Sequence, residues 1–249
     1  MIRKSTGKKN TDGNSRKLRA GLAAACCLLT GGLMIAGASA YLTDTAEVTN
    51  NFTVGEVTVA LKEPDYPGNN SPQVLNQTPG QETPKNPLVE NTGKNDAVVF
   101  MQVRVPMREL TPIQNGKAAG SKKASEVFTM KLNGDSLQPG SSHFRDSWVL
   151  LGKGAVPAAD GKSTSYLFGY SRRVKKGEKT DALFDKVQMV NFREEEISTE
   201  DPLSINISTF AIQADSILDG ETPLSTDGVI GKDTLEKIYE IYALQNDQT

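Results

Sequence analysis

PLVENTGKNDAVVFMQVRVP, residues 87–106, decides how the rest of this chain is read. Two apolar pieces flank a polar middle. Asn91-Thr92-Gly93 and Asn95-Asp96 are turn residues: Asn and Asp side chains bond their own backbone, and Gly admits positive φ. Beyond the turn Val99, Met101, Val103 and Val105 share one phase and Phe100, Gln102 and Arg104 the other. A period of two is a strand with one face turned to a core. Pro106 is expected to end the run, because it has no N–H to give a ladder.

The same signal recurs in both directions. In NFTVGEVTVAL (51–61), Phe52 and Val54 share one phase and Val57, Val59 and Leu61 the other. The slip falls at Gly55, where a β-bulge would put it, and Pro64 and Pro67-Gly68 close the segment. Phe128, Met130 and Leu132 alternate into Asn133-Gly134, a strong hairpin signal. Trp148 to Leu151 is a further strand. In Tyr166 to Tyr170, residues Tyr166, Phe168 and Tyr170 fall on one face. KKGEK (175–179) reads as a turn, Leu183, Phe184, Val187 and Met189 as core, and Leu203, Ile205 and Ile207 as a strand continuing to Ile212. Residues 65–87 read as an exposed loop, and 111–125 as a polar loop or insertion without a period. One helix is expected over 232–244, with Asp233 as N-cap, Glu236 three residues on, and Leu235, Ile238, Tyr239 and Tyr242 at helical spacing. Many short strands, turns between them and no βαβ alternation predict an all-β, antiparallel β-sandwich with a short C-terminal helix.

Residues 1–40 do not read as domain. Seven basic residues and one acid precede or flank an apolar stretch from Ala20 to Ala38, which ends in Ala38-Ser39-Ala40. A basic start, an apolar middle and a small-x-small end make a secretory signal peptide, with cleavage between Ala40 and Tyr41 and a single domain over 41–249. An uncleaved membrane anchor is the alternative reading of the same stretch. Of 28 basic and 30 acidic residues, the leader holds 7 and 1; the remainder has 21 and 29, a net charge of −8. A nucleic-acid partner calls for the opposite sign, and contact with a membrane is expected only through the leader. Both cysteines, Cys26 and Cys27, lie in the leader, so residues 41–249 have neither a disulfide nor a thiolate ligand.

Catalytic patterns are hard to find. The only histidine is His143, so neither H-E-x-x-H nor a metal site rich in histidine can be built. No G-x-S-x-G elbow or Walker loop occurs. Glu194-Glu195-Glu196 reads as a solvent-facing turn, with a calcium site there, or at Asp215, Asp219 and Glu221, as the rival reading. The expectation is a protein that is not an enzyme and carries no cofactor.

Cleavage after Ala40 frees YLTDTAEVTNNFTVGEVTVAL, a β-prone end without proline. Two uses are open to it. It can form the first strands of its own domain. Alternatively Tyr41 to about Asn50, with Tyr41, Leu42, Thr43, Thr45 and Val48 as the residues concerned, can add as a donor strand to a neighbour. Repeated head to tail, such addition makes an open filament.

The leader ending in Ala38-Ser39-Ala40, then AYLTDTAEVTNNFTVGEVTVALKEP, resembles the start of the TasA/camelysin (CalY) family of secreted Gram-positive proteins. The likeness continues through PLVENTGKNDAVVFMQVRVP, Trp148, YLFGY, GEKTDALFDKV and ISTFAIQAD, in that order. It does not extend to the Lys/Ser/Gly stretch near Gly116 to Lys123 or to the C-terminal helix. The resemblance implies a jelly-roll sandwich, processing by a SipW-type signal peptidase, and self-assembly into extracellular fibres of a biofilm matrix or cell surface, with other matrix proteins as further partners. It also implies that the segment from Tyr41 to about Asn50 is the donor. Relatives labelled metallopeptidases make a surface peptidase one alternative; a monomeric binding or adhesion module using loops 65–87 and 111–125 is another.

Overall fold

The computed structural model describes residues 46–48, 57–75, 77–137, 145–198, 203–215 and 228–246. In chain order the elements are β1 (Ala46–Val48), β2 (Val59–Lys62), α1 (Pro72–Leu75), β3 (Glu82–Pro84), β4 (Leu88–Asn91), β5 (Ala97–Leu110), β6 (Ile113–Gln114) and β7 (Lys117–Ala118). There follow β8 (Lys123–Glu126), β9 (Phe128–Leu132), β10 (Asp135–Leu137), β11 (Trp148–Leu150), β12 (Val156–Pro157), β13 (Ser163–Tyr170), β14 (Lys186–Met189), β15 (Asn206–Gln213) and α2 (Lys232–Asn246). The protein is all-β with one C-terminal helix, as expected.

The larger sheet runs β1-β15-β5-β13-β11, with β12 beside β13 and β8 beside β5. β5 is its spine. Arg104 stands opposite Ser165 on one side and Asn206 on the other, and both ladders are antiparallel. The facing layer combines β10-β9-β14-β3 with the pair β2-β4. Its two halves belong to one long antiparallel run: β3 pairs with β14, and β4 bonds residues 178–180 through Asn91 N–H to Glu178 O and Thr180 N–H to Val89 O. Between them Lys85 N–H reaches Asp185 O and Leu183 N–H reaches Pro87 O, so the run is bent rather than cut.

The alternation seen in the sequence fills the space between the layers. Val99, Met101, Val103, Tyr166, Phe168 and Ile207 from the larger sheet meet Val89, Phe128, Met130, Val187 and Phe184 from the other, all essentially inaccessible. The Asn133-Gly134 turn joins β9 to β10 with φ of 53° and 90°, the paired positive values that a two-residue hairpin requires.

A second apolar cluster covers part of the opposite face. Val98, Phe100 and Ile212 are buried there under Leu235, Ile238 and Tyr242 of α2. The off-phase residues of β5 and β15 thus have a core of their own. Gly169 permits the approach: a Cβ there would stand 3.1 Å and 3.2 Å from the methyls of Leu235.

Four expectations are corrected. β5 does not stop at Pro106 but runs on to Leu110. Pro106 lies where β5 exchanges partners, with Ser163 the last residue of its ladder to β13 and Met107 the first of its ladder to β8, and its carbonyl still accepts from Val127 N–H. Residues 65–87 are not simply an exposed loop, since they hold α1 and β3, and Val74, Thr83 and Lys85 are buried. The stretch 111–125 forms the small β6-β7 hairpin and most of β8. Finally, Asp233 is not the N-cap. Leu235 N–H donates to Gly231 O, so the cap is Gly231 and Asp233 sits in the first turn, where its charge still suits the helix dipole.

Candidate assembly edge and polar clusters

The donor segment proposed from the sequence meets the structure at one edge. β1 lies parallel to β15, with Ala46 opposite Ile207, Glu47 opposite Ser208 and Val48 opposite Thr209. Of the expected donor residues, Val48 is therefore in a strand of its own sheet. Tyr41, Leu42, Thr43 and Thr45 lie outside the described residues, as do Ala38 and Ala40 of the expected cleavage site, the Gly55 bulge and His143.

The edge has two physical properties that matter. Its pairing is the one parallel ladder among the described strands, and parallel ladders are somewhat weaker per residue. It is also short. β15 has eight residues, and β1 pairs with three of them. Beyond Thr209 no described strand occupies that side of β15, and a sheet edge is the place where another strand can add.

Several polar clusters tie the parts of the domain together. Asn91 is fully buried; its amide donates to the carbonyls of Asn95 (2.9 Å) and Val174 (2.8 Å), and its oxygen accepts from Gly93 N–H (3.0 Å). The turn legible in the sequence is thus pinned by the side chain that announced it. Ser147 Oγ donates to Asp181 Oδ2 at 2.7 Å, and Trp148 Nε1 to the Asp181 carbonyl at 2.8 Å, fastening β11 to the facing layer. This serine–aspartate contact has no histidine among the described residues to make it a nucleophile.

Lys85 is the group that sequence reasoning missed. Its side chain is wholly buried, 2.9 Å from Glu63 Oε1, with the ammonium 4.4 Å from the centre of the Tyr66 ring. A buried lysine is rare unless paired. The available signal was indirect: Lys85 stands between Pro84 and Pro87, where the long antiparallel run bends.

Of three glutamates that depart from ordinary carboxylate behaviour, Glu82 is held low by Lys131 and Lys186, and Glu126 and Glu196 move in opposite directions. Burial pushes the Glu126 carboxyl up, and the hydroxyls of Tyr166 and Thr164 only partly offset this; Tyr166 Oη donates to Glu126 Oε1 at 2.5 Å. Burial and the Glu126 carboxylate push the Tyr166 hydroxyl up in turn. Glu196 goes the other way. The Thr111 N–H, bonded to Oε2 at 2.6 Å, holds it below the usual range, and Thr111 Oγ1 donates to its other oxygen at 2.7 Å. Of the acidic run 194–196, Glu196 is therefore a loop clamp, while Glu195 occupies a left-handed turn with φ of 69°. Asp215 pairs with Arg173 at 2.8 Å, and Asp219 and Glu221 lie outside the described residues. Among the described residues no three His, Cys, Asp or Glu side chains converge as metal ligands would.

The Glu126 shift has a consequence for pH. A carboxyl whose folded pKa is raised binds its proton more tightly in the native state. Its favourable contribution is complete below the unfolded pKa and is lost as pH rises through the folded one. Glu126→Gln keeps an acceptor for Tyr166 and removes the ionisation. The variant is expected to be more stable than the parent at neutral pH and no more stable at pH 4, read from urea midpoints at both values.

No family model, curated protein or solved structure matches this chain.

Proposed function

We propose that the protein is an exported structural subunit of the TasA/camelysin type, trimmed at Ala40 and assembled at the cell surface or in a biofilm matrix by donation of its N-terminal strand. The observation that carries this reading is the short parallel pairing of β1 on the long edge of β15. A segment whose described residues are held in its own domain by three residues of parallel ladder is a segment that can be exchanged. When β1 leaves, β15 offers an eight-residue edge, and the same segment of a second copy satisfies it with the same register. Backbone bonds lost in one subunit are regained in the next, so the exchange costs little, and an arrangement in which each subunit gives and receives has no natural end.

The leader fits the same scheme. While residues 1–40 remain attached, the donor end is tied to the membrane; cleavage releases it. In this reading the partners are further copies of the chain and a SipW-type signal peptidase, with other matrix proteins joining the fibre.

The test is electron microscopy and size-exclusion chromatography on three proteins: one beginning at Tyr41, one lacking Tyr41–Asn50, and one beginning at Tyr41 with Val48→Pro. The first is expected to form filaments. The second is expected to stay a folded monomer. The third removes one N–H from the donor and blocks its ladder, so it too is expected to lose polymerisation while keeping the circular dichroism of the parent. Filaments from both altered proteins would sink the donor scheme.

A further inference from the structure

The outer face of the larger sheet is divided. One half carries Val98, Phe100 and Ile212 under α2. The other half, further along the same strands, is left uncovered by the described residues, and its residues change character: Gln102 and Arg104 on β5, Ser163 and Ser165 on β13. The loop 151–160 rises beside it as a wall, so the uncovered half becomes a groove of about 680 Å³. Arg104 stands on the floor and Lys153 on the wall.

Both cations are exposed, and neither has an ion pair or side-chain hydrogen bond among the described residues. That is unusual for the middle of a strand. Arg104 is flanked by Ser165 on one side and Asn206 on the other, neither of which is acidic. Among the described residues that line the groove Asp160 is the single acid, and it is engaged by its own turn through Lys162 N–H at 2.9 Å. In a region of net charge −8 after the leader, this is a local positive site with hydroxyl and amide groups around it.

We infer that the groove is a binding site for an acidic polysaccharide of the polyuronate class. Sugar hydroxyls match Ser163, Ser165 and Gln102, which both give and accept hydrogen bonds. A ring carboxylate matches the planar fork of Arg104, which can bond both its oxygens at once, with Lys153 adding charge from the wall. A phosphodiester polymer suits the site less well. A phosphate would compete for the same Arg104 fork, but the backbone donor it would add on this rim, Gly152 N–H, is already bonded to Glu236 Oε1 at 2.8 Å. The inference is independent of how, or whether, the chains polymerise.

The test is calorimetric titration of the purified protein with oligogalacturonate at low and moderate salt, beside a neutral glucan and a glycerol-phosphate polymer. Oligogalacturonate is expected to bind, to weaken with salt, and to lose tenfold or more in affinity in Arg104→Ser and in Lys153→Ser. Lys117→Ser, on the distant β6-β7 hairpin, is expected to bind as the parent does. The two groove variants change exposed side chains, and unchanged circular dichroism checks their fold. Absence of binding, equal binding by the neutral glucan, tighter binding by the phosphate polymer, or full affinity in the groove variants would each overturn the assignment.

Discussion

Glu63→Ala is expected to cost about 3–5 kcal/mol of stability, the range for removing one partner of a buried ion pair. The reason is an asymmetry. The Lys85 side chain is wholly buried and Glu63 about one-tenth exposed, at 2.9 Å. Taking two charges out of water costs several kcal/mol per ion, and their attraction roughly repays this. Deleting the carboxylate leaves the ammonium in place without the charge it was buried against. Deleting the ammonium is milder: Lys85→Met keeps the stem packed and removes the more deeply buried of the two charges. The double variant Glu63→Leu/Lys85→Met is expected to stay within about 1 kcal/mol of the parent, since hydrophobic replacement of a buried pair is often neutral. Urea unfolding of the parent, Glu63→Leu, Lys85→Met and the double variant measures the coupling, with Glu63→Ala run beside them. A Glu63→Ala loss below about 1 kcal/mol, or a Lys85→Met loss exceeding it, would show that the pair is not an electrostatic unit.

Under the proposed strand donation this pair matters because of its place. Glu63 follows β2 directly, and Lys85 stands where the facing layer bends between β3 and β4. The pair therefore fastens the end of β2 to the body of the domain. If β1 is to leave β15 without pulling β2 after it, β2 must be held by something other than β1. Its ladder to β4, four residues from Val59 to Lys62, supplies part of that hold, and the bonds of Thr92 and Gly93 N–H to Thr58 O, the burial of Val57 and Val59 and the Glu63–Lys85 contact add to it. Glu63→Ala is accordingly expected to make the released N-terminal segment longer as well as the domain weaker.

What the sequence disclosed, and what it hid, follows one rule. Alternation is visible where a strand faces a core on one side only. β9, β13 and the inner residues of β15 were legible for that reason, as was the Asn133-Gly134 turn, which needs positive φ twice. β3 and β8 were not legible, because they are made strands by their neighbours. Glu82 of β3 is held by Lys186 at 3.0 Å and by Lys131 from β14 and β9, and no apolar pattern records such a ladder. The helix cap was misplaced by two residues because Gly231 caps with its carbonyl alone and has no side chain to read. Of the candidate site, the β-prone character of the N-terminal segment was visible. The strand it would lie against and the direction of the pairing were not, since a parallel register between residues 46 and 207 has no local signature.

Phe100 shows the same rule from the other side, and it carries the second large effect. In the alternation of β5 it occupies the solvent phase, yet it is completely buried. The run Ala97-Val98-Val99-Phe100-Met101 is apolar in both phases, which is the mark of a strand covered on both faces. The cover is α2: the Phe100 ring meets Tyr239 edge-on at 5.2 Å, and Tyr239 in turn contacts Tyr242 and Phe210. Phe100→Ala is expected to cost about 3–5 kcal/mol, or a fall in Tm of roughly 6–20 °C for a domain of this size. A second substitution separates loss of the ring from loss of the helix. Gly169→Val drives side-chain carbon into Leu235, whose methyls already stand 3.1 Å from the position of a Cβ. It should lift α2 while leaving Phe100 in place. If α2 contributes its burial as a unit, the two variants will be strongly non-additive, because once the helix is displaced Phe100 has little left to lose. Additive losses would mean that Phe100 is held by the sheet alone, and that the helix is an ornament on a domain already complete without it.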